Sequence, residues 1–221
     1  MFKGPFDYSI IKRARDKGIV DIEFVNIRDF GIGIHKVVDN KAYGGGKGMI
    51  LRVDILDNAI KKIKNSKLSA KEQKVILLDP QGNTFNQKRA ESFSRLKHLI
   101  LVCGHYEGVD KRIEKFVDEK ISVGDFIVSG GEIPAMLVID AIARLIKGVL
   151  KECVINSETF SPYLEYPQYT KPRCYKNLRV PKILLNGNHK KIDNWRQRQS
   201  IKNTLLLRRD LLPKIYIKKR G

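Results

Sequence analysis

Three short, glycine-bearing loops carry the residues that could bind a flat, charged ligand. They are residues 79–82, 104–108 and 124–132, and each stands at the end of a predicted parallel strand. Glycine lets a backbone approach a ligand closely, and Tyr106 and Phe126 can stack on a planar ring. Ligands of open α/β sheets bind at the carboxyl ends of the strands. The pattern therefore predicts one shared ligand pocket, although a glycine turn after any single strand is a weak signal.

A fourth glycine cluster, residues 43–49, reads Tyr-Gly-Gly-Gly-Lys-Gly-Met. It resembles a phosphate-binding loop, but no Ser or Thr follows Lys47, which excludes the nucleotide-binding P-loop. The glycine spacing of a dinucleotide site is also absent. Two interpretations stay open at this point: a close approach of the backbone to a bulky group, or a purely structural turn.

Metal-dependent and covalent chemistry have little support in the sequence. The four histidines never fall at ligand spacing with one another or with a cysteine, so no metal site is predicted. No Gly-x-Ser-x-Gly motif is present, and no cysteine and histidine form a convincing nucleophile setting. Three widely spaced cysteines exclude a disulfide framework and indicate a reducing compartment.

The elements that would position these loops are those of an α/β domain over residues 1–150. Residues 74–78 and 98–103 are continuous apolar runs, which is typical of parallel strands buried on both faces. Residues 20–25 alternate between apolar and polar and predict another strand. Helices are predicted over residues 9–18, which end in glycine, and over residues 133–146, where apolar residues recur at helical spacing.

The remainder of the chain predicts a linker and a second, smaller domain. Residues 151–172 hold three prolines and little periodicity, as expected of an interdomain loop. Residues 173–221 contain an extended piece at 180–185, an Asn186-Gly187 turn and a long helix from about 192 to 208. We expect a small basic helical domain here.

Charge identifies the class of partner. The chain is 42% hydrophobic and 30% charged, an ordinary globular balance, yet its net charge is +19. Residues 171–221 hold 16 Lys and Arg against two Asp, which places +14 in that segment. Such a surface favours a polyanion, most commonly a nucleic acid. The first five residues lack the apolar core of a secretory signal, and no apolar run reaches the ~18 residues of a membrane span, so we expect a cytoplasmic protein.

The same loops, with their neighbours, carry a close resemblance to one family. Its motifs are matched in order by residues 26–30, 43–49, 79–82, 103–112, 122–136, 166–172 and 185–189. The chain resembles the bacterial tRNA (guanine-N1)-methyltransferases of the SPOUT, or α/β-knot, class. The resemblance implies a trefoil-knotted, mostly parallel sheet with flanking helices, and a homodimer with its active site at the subunit interface. It also implies methyl transfer from S-adenosylmethionine to the guanine just 3′ of the tRNA anticodon.

The resemblance also assigns candidate site residues. It maps cofactor contacts onto the strand-end loops, namely Leu78, Asp79, Pro80, Gly104, Tyr106, Glu107, Val123, Gly124, Asp125, Phe126, Ile127, Val128, Gly130, Gly131 and Pro134. Candidate contacts to the anticodon stem-loop of tRNA are Lys47, His189, Arg196, Arg208 and Arg209. The sequence leaves open whether Mg²⁺ takes part.

Two residues are expected to carry the chemistry. The family's catalytic aspartate corresponds to Glu158, counted back from Phe160, and a carboxylate there can take the N1 proton of guanine. Arg144 matches the residue that stabilises the charge developing on guanine O6. From position alone, Arg144 could instead be a cation complementing the end of a helix. Glu165, the next carboxylate, is a competing candidate for the base.

The sequence departs from the family at two points. The link between Arg144 and Glu158 is about one residue shorter than usual, which the longer Glu side chain could offset. The first hydrophobic strand of the family has no counterpart before Met1, and we expect either a start codon assigned too late or a shortened chain. If these departures abolished catalysis, the chain would be an RNA-binding protein that retains the fold; calorimetry with S-adenosylmethionine separates the two.

Overall fold

The computed structural model describes Phe2 and residues 4–155, 158–160 and 162–212. The chain divides into two compact units, Met1–Leu150 and Lys151–Gly221. The first unit contains nine helices and strands among its described residues: α1 Ser9–Asp16, β1 Asp39–Asn40, β2 Ile50–Leu51, α2 Val53–Ile63, β3 Gln73–Thr84, α3 Gln87–Phe93, β4 His98–Cys103, β5 Glu119–Ser122 and α4 Glu132–Ala143. Short 3-10 helices span Ile27–Phe30 and Lys111–Lys115.

A three-stranded parallel sheet with strand order β4-β3-β5 forms the centre of the first unit. Side chains of a strand alternate between its faces. Val75 and Leu77 therefore join a cluster with α2, while Ile76 and Leu78 join another with α3 and α4. Burial on both faces explains the continuous apolar run. The prediction of an α/β domain with a parallel sheet is confirmed.

Helix α4 packs on two neighbours, and its sequence reflects both. Ala135, Val138 and Ile142 are buried in the cluster that α3 and α4 form with Ile76 and Leu78 of the sheet. Met136 and Ile139 lie against the cluster formed by α1 and the chain around Phe6. The predicted helix over 133–146 is confirmed, except that it begins at Glu132 and ends at Ala143.

The strand predicted over residues 20–25 is wrong. Among the described residues, this segment has no strand partner and is extended but unpaired. Val20 and Ile22 instead pack on one side against the cluster of Phe6 and α1, and the Phe24 ring stacks at 4.8 Å from that of Phe2. One-sided burial produced the alternating pattern without a ladder.

Strand β3 changes register where the first glycine-bearing loop was predicted. Its pairing with β5 stops at Leu78 opposite Ile121 and resumes at Asn83, also opposite Ile121. Residues 79–82 therefore bulge from the ladder. Gly82 crosses the partner strand so closely that an added Cβ would lie 2.5 Å from the Ile121 nitrogen and 2.6 Å from its Cα.

The second unit is built on one long helix. Its described elements are α5 Glu152–Ile155, the hairpin strands β6 Cys174–Tyr175 and β7 Leu178–Arg179, α6 His189–Leu207, and 3-10 helices at Lys182–Leu185 and Arg209–Leu211. The Asn188 side chain caps α6 by accepting from the Lys191 N–H at 3.1 Å. The long basic helix is confirmed, but the extended piece predicted at 180–185 is wrong, because a 3-10 turn follows Pro181.

Two further expectations concern the end of the basic segment and membrane-spanning helices. Residues 213–221 of the basic segment lie outside the described residues. Within the described part, no helix is both long and apolar enough to cross a membrane.

The crossing at Gly82 predicts a large stability difference between two glycine substitutions. Gly82→Ala forces a methyl group into the Ile121 backbone, so we expect a loss of about 3 kcal/mol or more, since overpacking typically costs ~1–3 kcal/mol even against movable side chains. Gly104→Ala is the matched control, because its Cβ would meet nothing closer than 3.7 Å. Thermal unfolding should place Gly82→Ala well below both the parent and Gly104→Ala; equal midpoints would contradict this reading of the crossing.

Candidate active site

The three predicted loops meet at one edge of the parallel sheet. Leu78 of β3 lies opposite both Cys103 of β4 and Ile121 of β5, so the strands reach this edge together. Residues 79–82, predicted as a loop, form the bulge within β3 instead, whereas residues 104–108 and 123–131 directly follow β4 and β5. The structure thus brings together the strand ends whose loops hold the predicted cofactor residues, and a bound ligand remains a prediction.

The second and third loops are joined through their backbones. The Gly131 N–H donates to the Gly104 carbonyl at 2.8 Å, and His105 pairs with Gly130 as an isolated β-bridge. A Cβ on Gly131 would lie 2.7 Å from Cys103 Cα and 2.9 Å from Gly104 nitrogen. Only a residue without a side chain fits there, so the two loops form a narrow wall of backbone donors and acceptors.

Apolar and aromatic side chains stand beside this wall. Phe126 and Ile127 are 56% and 85% exposed, and the Phe126 ring occupies the place where a Gly124 side chain would point. Pro134, in the first turn of α4, is buried. Tyr106 adopts a left-handed backbone conformation, φ 61°, with its ring edge-on to His105. Exposed rings at a backbone wall can bind a flat heterocycle.

The glycine cluster at residues 43–49 packs against the second loop. The Glu107 N–H donates to the Met49 carbonyl at 3.2 Å, and a Cβ on Gly48 would lie 2.8 Å from Glu107 Oε1. The close neighbour of Gly48 is thus the Glu107 side chain of the protein itself, and close approach of this cluster to a ligand stays a prediction. Tyr43 and Lys47 are exposed, which leaves the Lys47 ammonium accessible.

Acidic groups of the loops have different surroundings. The Asp79 carboxylate accepts the Gln81 N–H at 2.7 Å and so shapes the bulge of β3. Asp125 is exposed. Glu132 was missed by sequence reasoning: its Oε2 is buried with no hydrogen-bond partner among the described residues. It also occupies the place where a Gly130 side chain would point. The Gly130-Gly131 pair that precedes Glu132 was the only feature of the sequence that indicated its close packing.

Arg144 and Glu158 belong to different units. Arg144 is the C-cap of α4, and its N–H donates to the Asp140 carbonyl at 3.4 Å. That position also suits the alternative of a cation complementing the helix end. Glu158 is partly buried, and its N–H donates to the Ile155 carbonyl at 3.4 Å.

Glu165 has both carboxylate oxygens in hydrogen bonds. Oε1 accepts the Thr159 N–H at 3.3 Å, and Oε2 accepts from Gln168 Nε2 at 3.1 Å. Each oxygen keeps a further lone pair, so these bonds place the Glu165 carboxylate in the loop without excluding it as a proton acceptor. The surroundings of Glu165 are those of a residue that holds a loop together.

The predicted tRNA residues of the second unit lie along and just after α6. His189 is its first residue. The Arg196 guanidinium lies 4.9 Å from the Tyr166 ring centre and pairs with Asp193 at 3.4 Å. Arg208 lies over Phe160 and pairs with Asp210 at 2.8 Å, whereas Arg209 is exposed. The aspartates partly offset two of the cations and keep their side chains oriented.

Comparison with known proteins places the whole chain in one group. The family model described as tRNA (Guanine-1)-methyltransferase TrmD matches residues 1–214. A tRNA (guanine-N(1)-)-methyltransferase of Carboxydothermus hydrogenoformans is 52% identical over 216 residues, covering 96% of this chain and 83% of the relative. Relatives with the same description from Dictyoglomus turgidum and Metamycoplasma arthritidis are each 48% identical and cover 97% and 96% of this chain, and 86% and 91% of their own lengths.

Cys103 at the strand edge is predicted to be unreactive. Burial, and secondarily the nearby Glu132 carboxylate, raise the pKa of its thiol to about 12, so the folded protein keeps it protonated at neutral and mildly alkaline pH. An unfolded thiol ionises near ~8.5, so this group's contribution to stability falls as pH rises from about 8.5 towards 12. At pH 8, iodoacetamide should modify the exposed Cys174 and spare Cys103 until urea is added, as read by peptide mass spectrometry. Equal labelling rates in the folded protein would refute the assignment.

Proposed function

Because the chain belongs to the tRNA (guanine-1)-methyltransferase family, we propose that it methylates N1 of the guanine just 3′ of the anticodon, with S-adenosylmethionine as donor. Methyl transfer to guanine N1 of tRNA is the activity of this enzyme family. The observation that carries the proposal is that the bulge of β3 and two glycine-bearing loops, which are joined by the Gly131–Gly104 hydrogen bond, lie at one sheet edge, in a chain matched by the family model almost throughout. Since the substrate is tRNA, we further propose that the protein acts in the cytoplasm.

The strand-end loops fit the proposed cofactor. Other backbone groups of these loops can bind the edge of the adenine base, while the hydrogen bond and the close packing between Gly104 and Gly131 hold the two loops together. Val123, Ile127 and Pro134 can enclose the base, while Asp79 and Glu107 can meet ribose hydroxyls or the sulfonium. Bound there, S-adenosylmethionine supplies an electrophilic methyl group. We also propose that the first unit is folded as a trefoil knot, with which loops gathered at one edge of a parallel sheet are compatible.

The chemistry required of the chain is proton removal and charge stabilisation. Guanine N1 is a poor nucleophile while it holds its proton, so Glu158 takes that proton as the N1–CH₃ bond forms and the sulfur–methyl bond breaks. Negative charge spreads meanwhile to guanine O6, and the fixed cation of Arg144 stabilises it. Glu158 is proposed as the base rather than Glu165 because it corresponds in position to the family's catalytic aspartate.

A homodimer is part of the proposal. Ile127, Ile133 and Leu137 are 85%, 58% and 47% exposed in the first unit, and apolar side chains at such positions favour a covering protein surface. We propose that a second copy covers them and that the active site lies at the subunit interface.

The basic second unit is proposed to hold the tRNA. Phosphate contacts from Arg208 and Arg209 would fix the register of the anticodon stem, and Arg196 and His189 extend the same surface along α6. Lys47 supplies a further cation from the first unit. Single-stranded loop bases are the part of an RNA that proteins recognise specifically, which suits a target beside the anticodon.

The decisive test of the function is methyl transfer to unmodified tRNA by the parent and by carboxylate variants. Glu158→Gln should lose activity by about 10² to 10⁴-fold, the usual contribution of a general base, because the amide keeps the shape but not the basicity. Glu158→Asp should also be impaired, since its reach is one methylene shorter. Binding of tRNA and S-adenosylmethionine should be retained. If Glu158→Gln is active and Glu165→Gln is not, the base has been assigned to the wrong residue.

Salt dependence tests the RNA surface. Each phosphate contact should add about 0.7 to 0.9 to the slope of log affinity against log salt concentration. The double variant Arg208→Gln/Arg209→Gln should therefore bind tRNA more weakly and with a flatter slope. Lys62→Gln/Lys67→Gln removes the same charge from exposed positions of the first unit and serves as the control. Equal slopes for the two double variants would place the RNA elsewhere.

A further inference from the structure

Thr204 is a fully buried polar residue in the helix of the second unit, with 0% exposure. Its hydroxyl donates to the Ser200 carbonyl one turn earlier at 2.8 Å, an ordinary bond for a helical threonine. The same oxygen accepts the N–H of Leu164 at 2.9 Å, from a loop 40 residues away in sequence. The second bond ties that loop to α6.

A neighbouring residue makes a second tie. Asn203 Nδ2 donates to the Glu165 carbonyl at 3.2 Å. Two consecutive residues of α6 therefore hold two consecutive residues of the loop, one through its N–H and one through its carbonyl. Such a pair of bonds fixes both the position and the direction of the backbone at Leu164 and Glu165.

Further hydrogen bonds connect Glu165 to Thr159, the residue next to Glu158. The Glu165 N–H donates to Thr159 Oγ1, and the Thr159 N–H donates to Glu165 Oε1, both at 3.3 Å. The Phe160 N–H donates to the Tyr163 carbonyl at 2.9 Å. Thr159 directly follows Glu158, so a continuous series of hydrogen bonds runs from α6 to the backbone that carries Glu158.

We propose that Thr204 is a positioning residue for the Glu158 carboxylate, an inference that rests on the proposed role of Glu158 as the base. Thr204 does not touch the reacting atoms; it sets the loop from which Glu158 projects. The same helix carries Arg196 and His189, so the proposed RNA contacts and the base are held by one element. RNA bound along α6 would then present guanine N1 to a carboxylate at a fixed separation.

Single-turnover methyl transfer, at saturating tRNA and S-adenosylmethionine, tests this with a matched pair of variants. Thr204→Val keeps the side-chain shape but removes the hydroxyl, so the Leu164 N–H loses its acceptor. A misplacement of about 1 Å can cost ~10²-fold in rate, and we expect a 10- to 100-fold loss. Thr204→Ser keeps the hydroxyl and should stay within about 3-fold of the parent. The dissociation constants of tRNA and S-adenosylmethionine should change less than about 2-fold in both variants.

A double variant separates positioning from general damage. In the Glu158→Gln background, Thr204→Val should cause no further loss, because the group that it positions has already been removed. A parental rate for Thr204→Val, an equal loss in Thr204→Ser, or an additive loss in the double variant would overturn the proposal.

Two further outcomes are a Thr204→Val variant that does not fold and a parent protein that has no activity. If Thr204→Val does not fold, as judged by circular dichroism, Asn203→Ala decides: a slower transfer with unchanged binding supports the proposal, and a parental rate overturns it. Absence of methyl transfer in the parent would be a failure of the proposed function itself and is seen before any Thr204 variant is made.

Discussion

The carboxyl edge of the parallel sheet depends on backbone segments that approach too closely to admit a side chain. Gly82 lies against the backbone of Ile121, and Gly131 lies against Cys103 and Gly104. These two contacts fix the bulge of β3 and the junction of the other two loops. They hold in place the segments onto which the proposed cofactor contacts map, and backbone groups in fixed positions can bind a ligand without flexible side chains to order.

Hydrogen bonding gives the second unit a comparable internal order. Helix α6 combines cations on its surface with the buried hydroxyl of Thr204, which holds the loop that precedes it in the chain. Glu165 is engaged as a structural residue within that loop, and Glu158 stands beside it. One helix can in this way serve both the long-range attraction of an RNA and the short-range placement of a carboxylate.

Net charge and hydrogen bonding act over different distances in this protein. The surplus of +19 attracts a polyanion over distances of about a Debye length, ~8 Å at physiological salt. It cannot distinguish one RNA base from another. Under the proposed mechanism, discrimination depends on groups held to within a fraction of an ångström, and the hydrogen bonds of Thr204 and Gly131 hold the segments that carry such groups.

The sequence by itself determined the parallel sheet, helices α1, α4 and α6, the basic second unit and the family, because buried runs, helical spacing and ordered motifs are local or collinear signals. It wrongly predicted a strand at residues 20–25, since one-sided burial gives the same alternation as a ladder. It could not identify Glu132, the crossing at Gly82, or the tie of Thr204 to Leu164. Those depend on contacts between residues as far as 40 positions apart, and only the tertiary structure decides which distant backbone a glycine or a hydroxyl will meet.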